Sequence, residues 1–167
     1  HEGYVFLDEK CLLLAGEIAA EKGDTALVDY VGAMRRAGEN ARDLVAKLLA
    51  APAMPAAVAI NVKDTFDADD MKVMLDGARL TEIGKTLPVD TVDAEAIGFY
   101  VFRGTGGAAY VSELELAMRD PQGLKRWFPS AVGSLAKKIE VGTIPITGLR
   151  WGEVDFPVDL QQARQLV

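Results

Sequence analysis

Residues 141–160 read VGTIPITGLRWGEVDFPVDL and combine an apolar run, a group of acids and a helix start. The first part is rich in the β-branched residues that favour strands. Trp151, Glu153 and Asp155 then alternate, so they share one face if the segment is extended, and Pro157 favours the opening of a helix. The acids are therefore predicted at a strand end beside a helix start, where α/β proteins bind ligands. A solvated sheet edge, with Asp155 capping the helix, is the alternative interpretation.

Length and composition favour one soluble-type domain spanning residues 1–167. The chain has 167 residues, half of them hydrophobic, which is enough for a sizeable core. Its net charge of −7 argues against nucleic acid as the main partner. One cysteine forms no internal disulfide and no zinc pattern is present, and no apolar run is long enough for membrane insertion. We therefore expect a cytoplasmic protein.

Apolar periodicity predicts a helical first part and a strand-rich second part. Residues 1–50 are mostly helical in pattern, with a short strand candidate at residues 4–7. Strands are predicted at residues 57–62 and 96–102, and Asp76-Gly77 predicts a hairpin between residues 71–75 and 79–83. Helices are predicted at residues 108–119 and, in a shorter form, around residues 124–138. The mixture of helices and strands predicts a layered α/β domain with a mixed sheet.

Two further features have both a chemical and a plain interpretation. The run Arg103-Gly104-Thr105-Gly106-Gly107 lies between a strand and a helix, the setting of a phosphate-binding loop, but it lacks the full glycine fingerprint. Glycines at such a turn also serve backbone needs alone. Lys85, after Gly84, is placed to reach an anionic ligand as a point charge, or it is simply solvated.

Three segments in order resemble a known family. DMKVMLDGARLTEIGKTLP starts at Asp70, DAEAIGFYVF starts at Asp93 and LRWGEVDFPVDLQQAR starts at Leu149. Together they resemble the C-terminal half of the nucleotidyltransferases that activate small phosphorylated alcohols and sugars, in particular phosphocholine cytidylyltransferase-like members. The resemblance covers residues 56–167 and implies a three-layer α/β/α sandwich with a mixed, mostly parallel sheet. It also implies Mg²⁺ as cofactor, and an NTP, by preference CTP, and a small phosphomonoester as substrates.

The resemblance assigns roles to residues in the matching segments. Asp155 matches a magnesium-binding aspartate, and Lys85 matches a lysine associated with the substrate phosphate. The segment from Glu95 to Gly98 matches the wall of the alcohol or sugar pocket, which Trp151 and Glu153 are expected to complete. The reaction needs alignment and charge neutralisation rather than a protein nucleophile.

The family's glycine-rich NTP loop has no match in residues 1–40. Asp8, Asp24 and Glu39 are the candidates for a second magnesium ligand. Three explanations stay open: the nucleotide-binding segments are missing from this sequence, they come from elsewhere, or catalysis has been lost. The sequence thus predicts a cytidylyltransferase-like enzyme or, alternatively, a non-catalytic ligand-binding or interaction domain of the same fold. In the latter case residues 1–50 are a docking surface for a partner or for a second copy in a homodimer.

Overall fold

The computed structural model describes residues 42–149 and 151. The chain divides into two compact units, of which Ala46–Gly148 is one. The other unit contributes residues 42–45, 149 and 151 to the described part. Residues 42–50 are helical, in agreement with the predicted helix of that region. The prediction of a single domain over residues 1–167 stays a prediction.

Five strands within Ala46–Gly148 close into a small barrel. The order around it is β1-β4-β2-β3-β5, with β5 returning to β1. Only the β1–β5 pair is parallel; the four other pairs within the described part of the chain are antiparallel. The strands are β1 (Ala56–Asn61), β2 (Lys72–Asp76), β3 (Arg79–Gly84), β4 (Ala94–Phe102) and β5 (Val141–Pro145).

The predicted three-layer α/β/α sandwich with a mostly parallel sheet is therefore wrong. Parallel neighbours need a crossover connection, usually helical, between the strands. Here β2 and β3 are joined by a tight turn, and the connection from β3 to β4 contains no helix. The β2–β3 connection therefore produces an antiparallel pair, and β4 then pairs antiparallel with β2 rather than with β3. The connection between β4 and β5 is helical, and β5 then pairs in parallel with β1.

The predicted hairpin at Asp76-Gly77 is confirmed. Asp76 pairs with Arg79, so Gly77 and Ala78 form a two-residue turn. Gly77 has a φ of 61°, a conformation that glycine adopts without steric cost. Thr81 donates a hydrogen bond of 2.9 Å from Oγ1 to the carbonyl of Met74, at the point where the strand register shifts. Turn and bulge together fix which residues reach the ends of β2 and β3.

The connection from β4 to β5 contains helices that cover part of the barrel core. They are α1 (Thr105–Arg119), a short 3-10 helix (Gly123–Lys125) and α2 (Pro129–Ala136). Helix α2 begins with Pro129, whose fixed φ suits the first helical position, and packs against both β3 and α1. The core residues of the barrel and α2 are Ala56, Val58, Ile60, Val73, Leu80, Ala94, Ala96, Val132, Leu135, Ala136 and Val141.

Candidate functional site

One end of the barrel brings charged residues together from four strands. In the strand register Asn61 pairs with Glu95, Glu95 with Lys72, and Lys72 with Gly84. These residues therefore form a row across β1, β4, β2 and β3. Residues just beyond the row complete the group that we call the rim cluster: Lys63, Asp69, Asp70, Lys72, Lys85 and Glu95.

At the centre of the rim cluster one ammonium group is shared by two buried carboxyl groups. Lys63 Nζ lies 2.8 Å from Asp70 Oδ2 and 2.9 Å from Glu95 Oε2. The acids are almost fully buried, while the lysine side chain remains 28% exposed. A second hydrogen bond to Asp70 Oδ2, of 2.8 Å, comes from the backbone N–H of Asp67. Buried charges require such pairing, because a lone charge in this place is costly.

The two carboxyl groups differ in their pKa. Burial raises the pKa of Glu95; the hydrogen bond from Lys63 opposes this and the neighbouring Asp70 supports it, so the net shift is upward. Burial opposes ionisation of Asp70 as well, but the hydrogen bonds from Lys63, the Asp67 N–H and Glu95 lower its pKa overall. Burial also lowers the pKa of Lys63, yet its bonds to both acids outweigh burial and raise it. Glu95 is therefore the carboxyl group of the pair that takes up a proton first.

Lys85 forms the accessible part of the rim cluster. Its Nζ lies 3.3 Å from Asp69 Oδ1 and 4.7 Å from the centre of the Trp127 ring. The Asp69 side chain is 66% exposed and Trp127 is 64% exposed, so the ion pair is long and in contact with solvent. Such pairs contribute little to stability, so an anion from solution can compete with Asp69 for this ammonium, whose side chain is 29% exposed.

Lys72 is the member that the sequence analysis missed. It is only 2% exposed, although it opens a strand next to Asp70. Its Nζ donates to the carbonyl oxygen of Lys85 at 2.9 Å and to that of Asp70 at 3.4 Å. Its place as a single lysine between Met71 and Val73, at the start of an apolar run, was the available signal. Lys63 was missed too, although it follows β1 as Lys85 follows β3.

Of the predicted site residues, Lys85 and Glu95 are brought together in the rim cluster. Gly98 lies farther along β4, in a bulge where Val58 pairs with Tyr100 and Ile60 with Ala96. It is exposed and has a φ of 81°, which favours glycine.

Of the remaining predicted site residues, the structure describes Trp151. Trp151 is partly buried and lies outside helices and strands. The two acids of the same segment and the candidates for a second magnesium ligand lie outside the described residues: Glu153, Asp155, Asp8, Asp24 and Glu39. Among residues 42–149 and 151, no group of three or more His, Cys, Asp or Glu side chains is placed to hold a metal ion.

The glycine-rich run after β4 has a packing role in this structure. The Arg103 guanidinium donates four hydrogen bonds, of 2.7–3.4 Å, to carbonyl oxygens at residues 48, 49, 51 and 52, where the helical segment ends. A Cβ on Gly106 would lie 1.8 Å from the Pro55 carbonyl oxygen, so only glycine fits there. Arginine at a helix C-terminus satisfies unpaired carbonyl groups. The run thus joins α1 to residues 48–55, and its arginine is committed to backbone contacts.

No helix within the described ranges has the length and apolar character needed to cross a bilayer. Comparison with protein-family models and with curated proteins found no match.

Proposed function

We propose that this chain carries the acceptor site of a nucleotidyltransferase, which joins an NTP, by preference CTP, to a small phosphorylated alcohol and releases pyrophosphate. The observation that carries the proposal is that Lys85 and Glu95 belong to the same rim cluster, where both lie next to Lys72. The family resemblance assigns both residues to the acceptor site, and they lie in two separate segments of the sequence. The register places them on either side of Lys72.

Lys85 is the group proposed to bind the acceptor phosphate. A phosphomonoester dianion has more charge and more acceptor oxygens than the exposed Asp69 carboxylate, so it can replace Asp69 at the Lys85 ammonium. A cationic headgroup on the same molecule then finds the released Asp69 and the exposed indole of Trp127 nearby. Carboxylates and indole rings both attract alkylammonium groups. A zwitterionic phosphomonoester thus fits the charges of this surface.

The reaction itself requires a P–O bond to form and another to break. An oxygen of the acceptor phosphate attacks the α-phosphorus of the NTP, and the bond to the β-phosphate breaks as pyrophosphate leaves. The contribution of Lys85 is to hold the attacking phosphate and reduce the repulsion between the two anions. Asp70 and Glu95 are both paired with Lys63, so these two carboxylates do not fit a magnesium site. Mg²⁺ enters the proposal only through Asp155.

Pyrophosphate release with CTP and a panel of phosphomonoesters tests the proposal. The panel should include ethanolamine phosphate, choline phosphate and a sugar phosphate. We expect Lys85→Ala to lower kcat/KM by on the order of 10²-fold, mainly through KM for the phosphomonoester. Lys47→Ala is the matched control, since Lys47 is a lysine with a single 3.3 Å bond to a carbonyl group, that of Thr147. Absence of pyrophosphate with every acceptor, or equal effects of both substitutions, contradicts the proposal.

Asp155→Asn tests the proposed role of Mg²⁺. The substitution keeps the shape of the side chain and removes its charge. If Asp155 holds the metal, Mg²⁺-dependent turnover falls by on the order of 10²-fold or more. If Asp155 only caps a helix, asparagine caps about equally well and turnover stays unchanged.

The second candidate function is a non-catalytic domain that binds small phosphomonoesters. The role of the Arg103–Gly107 run favours it, since this glycine-rich run is used for packing and Arg103 is already bonded to four carbonyl groups. Isothermal titration separates the two functions. Binding of ethanolamine phosphate that Lys85→Ala weakens, without CTP binding or turnover, supports the non-catalytic domain.

A further inference from the structure

Lys72 has an unusual environment for a lysine. The residue is 2% exposed, and the hydrogen bonds of its ammonium go to main-chain carbonyl groups rather than to a carboxylate. Burial of a lysine is unfavourable unless its donors are satisfied. A methionine or leucine at this position would fill similar space without that penalty. The reason for a lysine at this position should therefore lie in the carbonyl groups that it binds.

Both carbonyl groups belong to the segments that carry the accessible ion pair. The stronger bond, of 2.9 Å, fixes the backbone of Lys85 where β3 ends. The weaker one, of 3.4 Å, reaches Asp70, the neighbour of Asp69 in the chain. One buried ammonium thus connects the backbone of Lys85 to the turn that bears Asp69. The Asp70 segment has further bonds, to Lys63 and to the N–H groups of Asp67 and Lys72, so the bond to the Lys85 carbonyl is the one that matters most for position.

From this geometry we propose that Lys72 is a positioning residue: its ammonium holds the Lys85 backbone so that the Lys85 side chain lies over Trp127, facing an incoming anion. Lysine side chains are flexible, and a fixed backbone with an aromatic platform reduces the number of positions that the ammonium can adopt. An anion then meets a charge that is already in place, which lowers the ordering cost of binding. The importance of this position for a phosphomonoester rests on the function proposed above; the position itself does not.

NMR of protein labelled with ¹³C-lysine tests the position without any ligand. The ring current of Trp127 should move the Lys85 Hε signal upfield of exposed lysines, and loss of the signal in Lys85→Ala assigns it. Lys72→Met should return the signal to the range of exposed lysines, whereas Lys72→Arg, which keeps the donors, should preserve the upfield shift. Val58→Ala, a core substitution in β1, controls for lost stability and should also preserve it.

Two results overturn the proposal. One is a folded Lys72→Met protein with the Lys85 signal unmoved; the other is a wild-type signal that is not shifted upfield. If Lys72→Met does not fold, Lys72→Gln, which keeps an NH2 donor group on a shorter side chain, should show a partial loss of the shift, and an unchanged signal counts against the proposal. If neither variant folds, hydrogen exchange of the Lys72 ammonium in the wild type decides: exchange at the rate of exposed lysines overturns the proposal.

A double-mutant cycle extends the test to binding. The probe is ethanolamine phosphate, measured by isothermal titration. Lys72→Met and Lys85→Ala should each weaken binding on the order of tenfold, and the double variant should be no weaker than Lys85→Ala alone. Effects that multiply in the double variant contradict action through Lys85. If the wild type binds no phosphomonoester while the NMR results hold, the proposed function falls and the positioning role of Lys72 stands.

Discussion

Lys63 is a partly exposed lysine, but its replacement by methionine should destabilise the protein more than the loss of a surface lysine usually does. Methionine keeps an unbranched chain but removes the ammonium that lies 2.8 Å from Asp70 Oδ2 and 2.9 Å from Glu95 Oε2. Breaking a buried ion pair costs about 3–5 kcal/mol. Because the Lys63 side chain is 28% exposed, we expect the low end, about 3 kcal/mol at pH 7.5. Urea unfolding followed by circular dichroism measures this loss.

The loss should become smaller as the pH falls. Without Lys63 the two acids repel each other, so the pKa of Glu95, already raised by burial, rises further. A group whose folded-state pKa lies above its unfolded value stabilises the protein most below the unfolded value, and this contribution is lost as pH rises through the folded pKa. The Lys63→Met protein should therefore recover part of its stability relative to wild type between pH 7.5 and pH 5. A second substitution, Glu95→Gln, should give a similar recovery at pH 7.5.

Lys47→Met is the control for this experiment. Its single bond of 3.3 Å to a carbonyl group is exposed, so the substitution should change stability by less than about 0.5 kcal/mol. A loss below about 1 kcal/mol for Lys63→Met, or a loss that stays constant from pH 7.5 to pH 5, would refute the view that Lys63 neutralises a buried carboxyl pair.

Other contacts can be tested by thermal unfolding. Arg103→Ala should cost about 2 kcal/mol, since four carbonyl groups lose a charged donor; Arg103→Lys, which lacks the planar fork, should recover only part of it. Gly106→Ala should cost about 3 kcal/mol through overlap with a backbone carbonyl, whereas Gly107→Ala, with open space around its Cβ, should be neutral or stabilise by up to about 1 kcal/mol. Tyr100→Phe should be neutral or stabilise by about 1 kcal/mol, because the buried Tyr100 hydroxyl has no hydrogen-bond partner in the described part. A lower melting temperature for Tyr100→Phe, or equal effects at the two glycines, would contradict these expectations.

The local features of the fold could be predicted from the sequence. Asp76-Gly77 predicts a hairpin because a glycine there permits a tight turn, although the two turn residues are Gly77 and Ala78. Strand β1 is recognisable as an apolar run between polar loops. Lys85 was found because it follows a glycine at the end of a predicted strand. Each of these signals lies within a few residues of the feature that it predicts.

Strand pairing over long distances could not be predicted in the same way. The choice of β4 and β5 as the neighbours of β1 depends on packing across the whole barrel, and a continuous apolar run fits a parallel or an antiparallel partner equally well. The error in fold class had two sources: alternation of helices and strands predicted a layered α/β domain, and the family resemblance implied that its sheet is mostly parallel. Lys72 was missed for a related reason: its burial results from contacts with Asp70 and Lys85, and its place at the start of an apolar run is only a weak local signal.

The barrel connectivity also orders the events by which the rim cluster forms. The β2–β3 hairpin, which carries Lys72 and ends at Lys85, closes across two residues, whereas β1 must wait for β5 from the other end of the unit. Loop closure makes the short-range pair faster to form. Lys72 and Lys85 should thus come together early in folding, and Glu95 should join them when β4 docks on β1 and β2. A ligand that contacts both Lys85 and Trp127, which lies in the connection between β4 and β5, stabilises contacts that form late, so it slows unfolding more than it speeds folding.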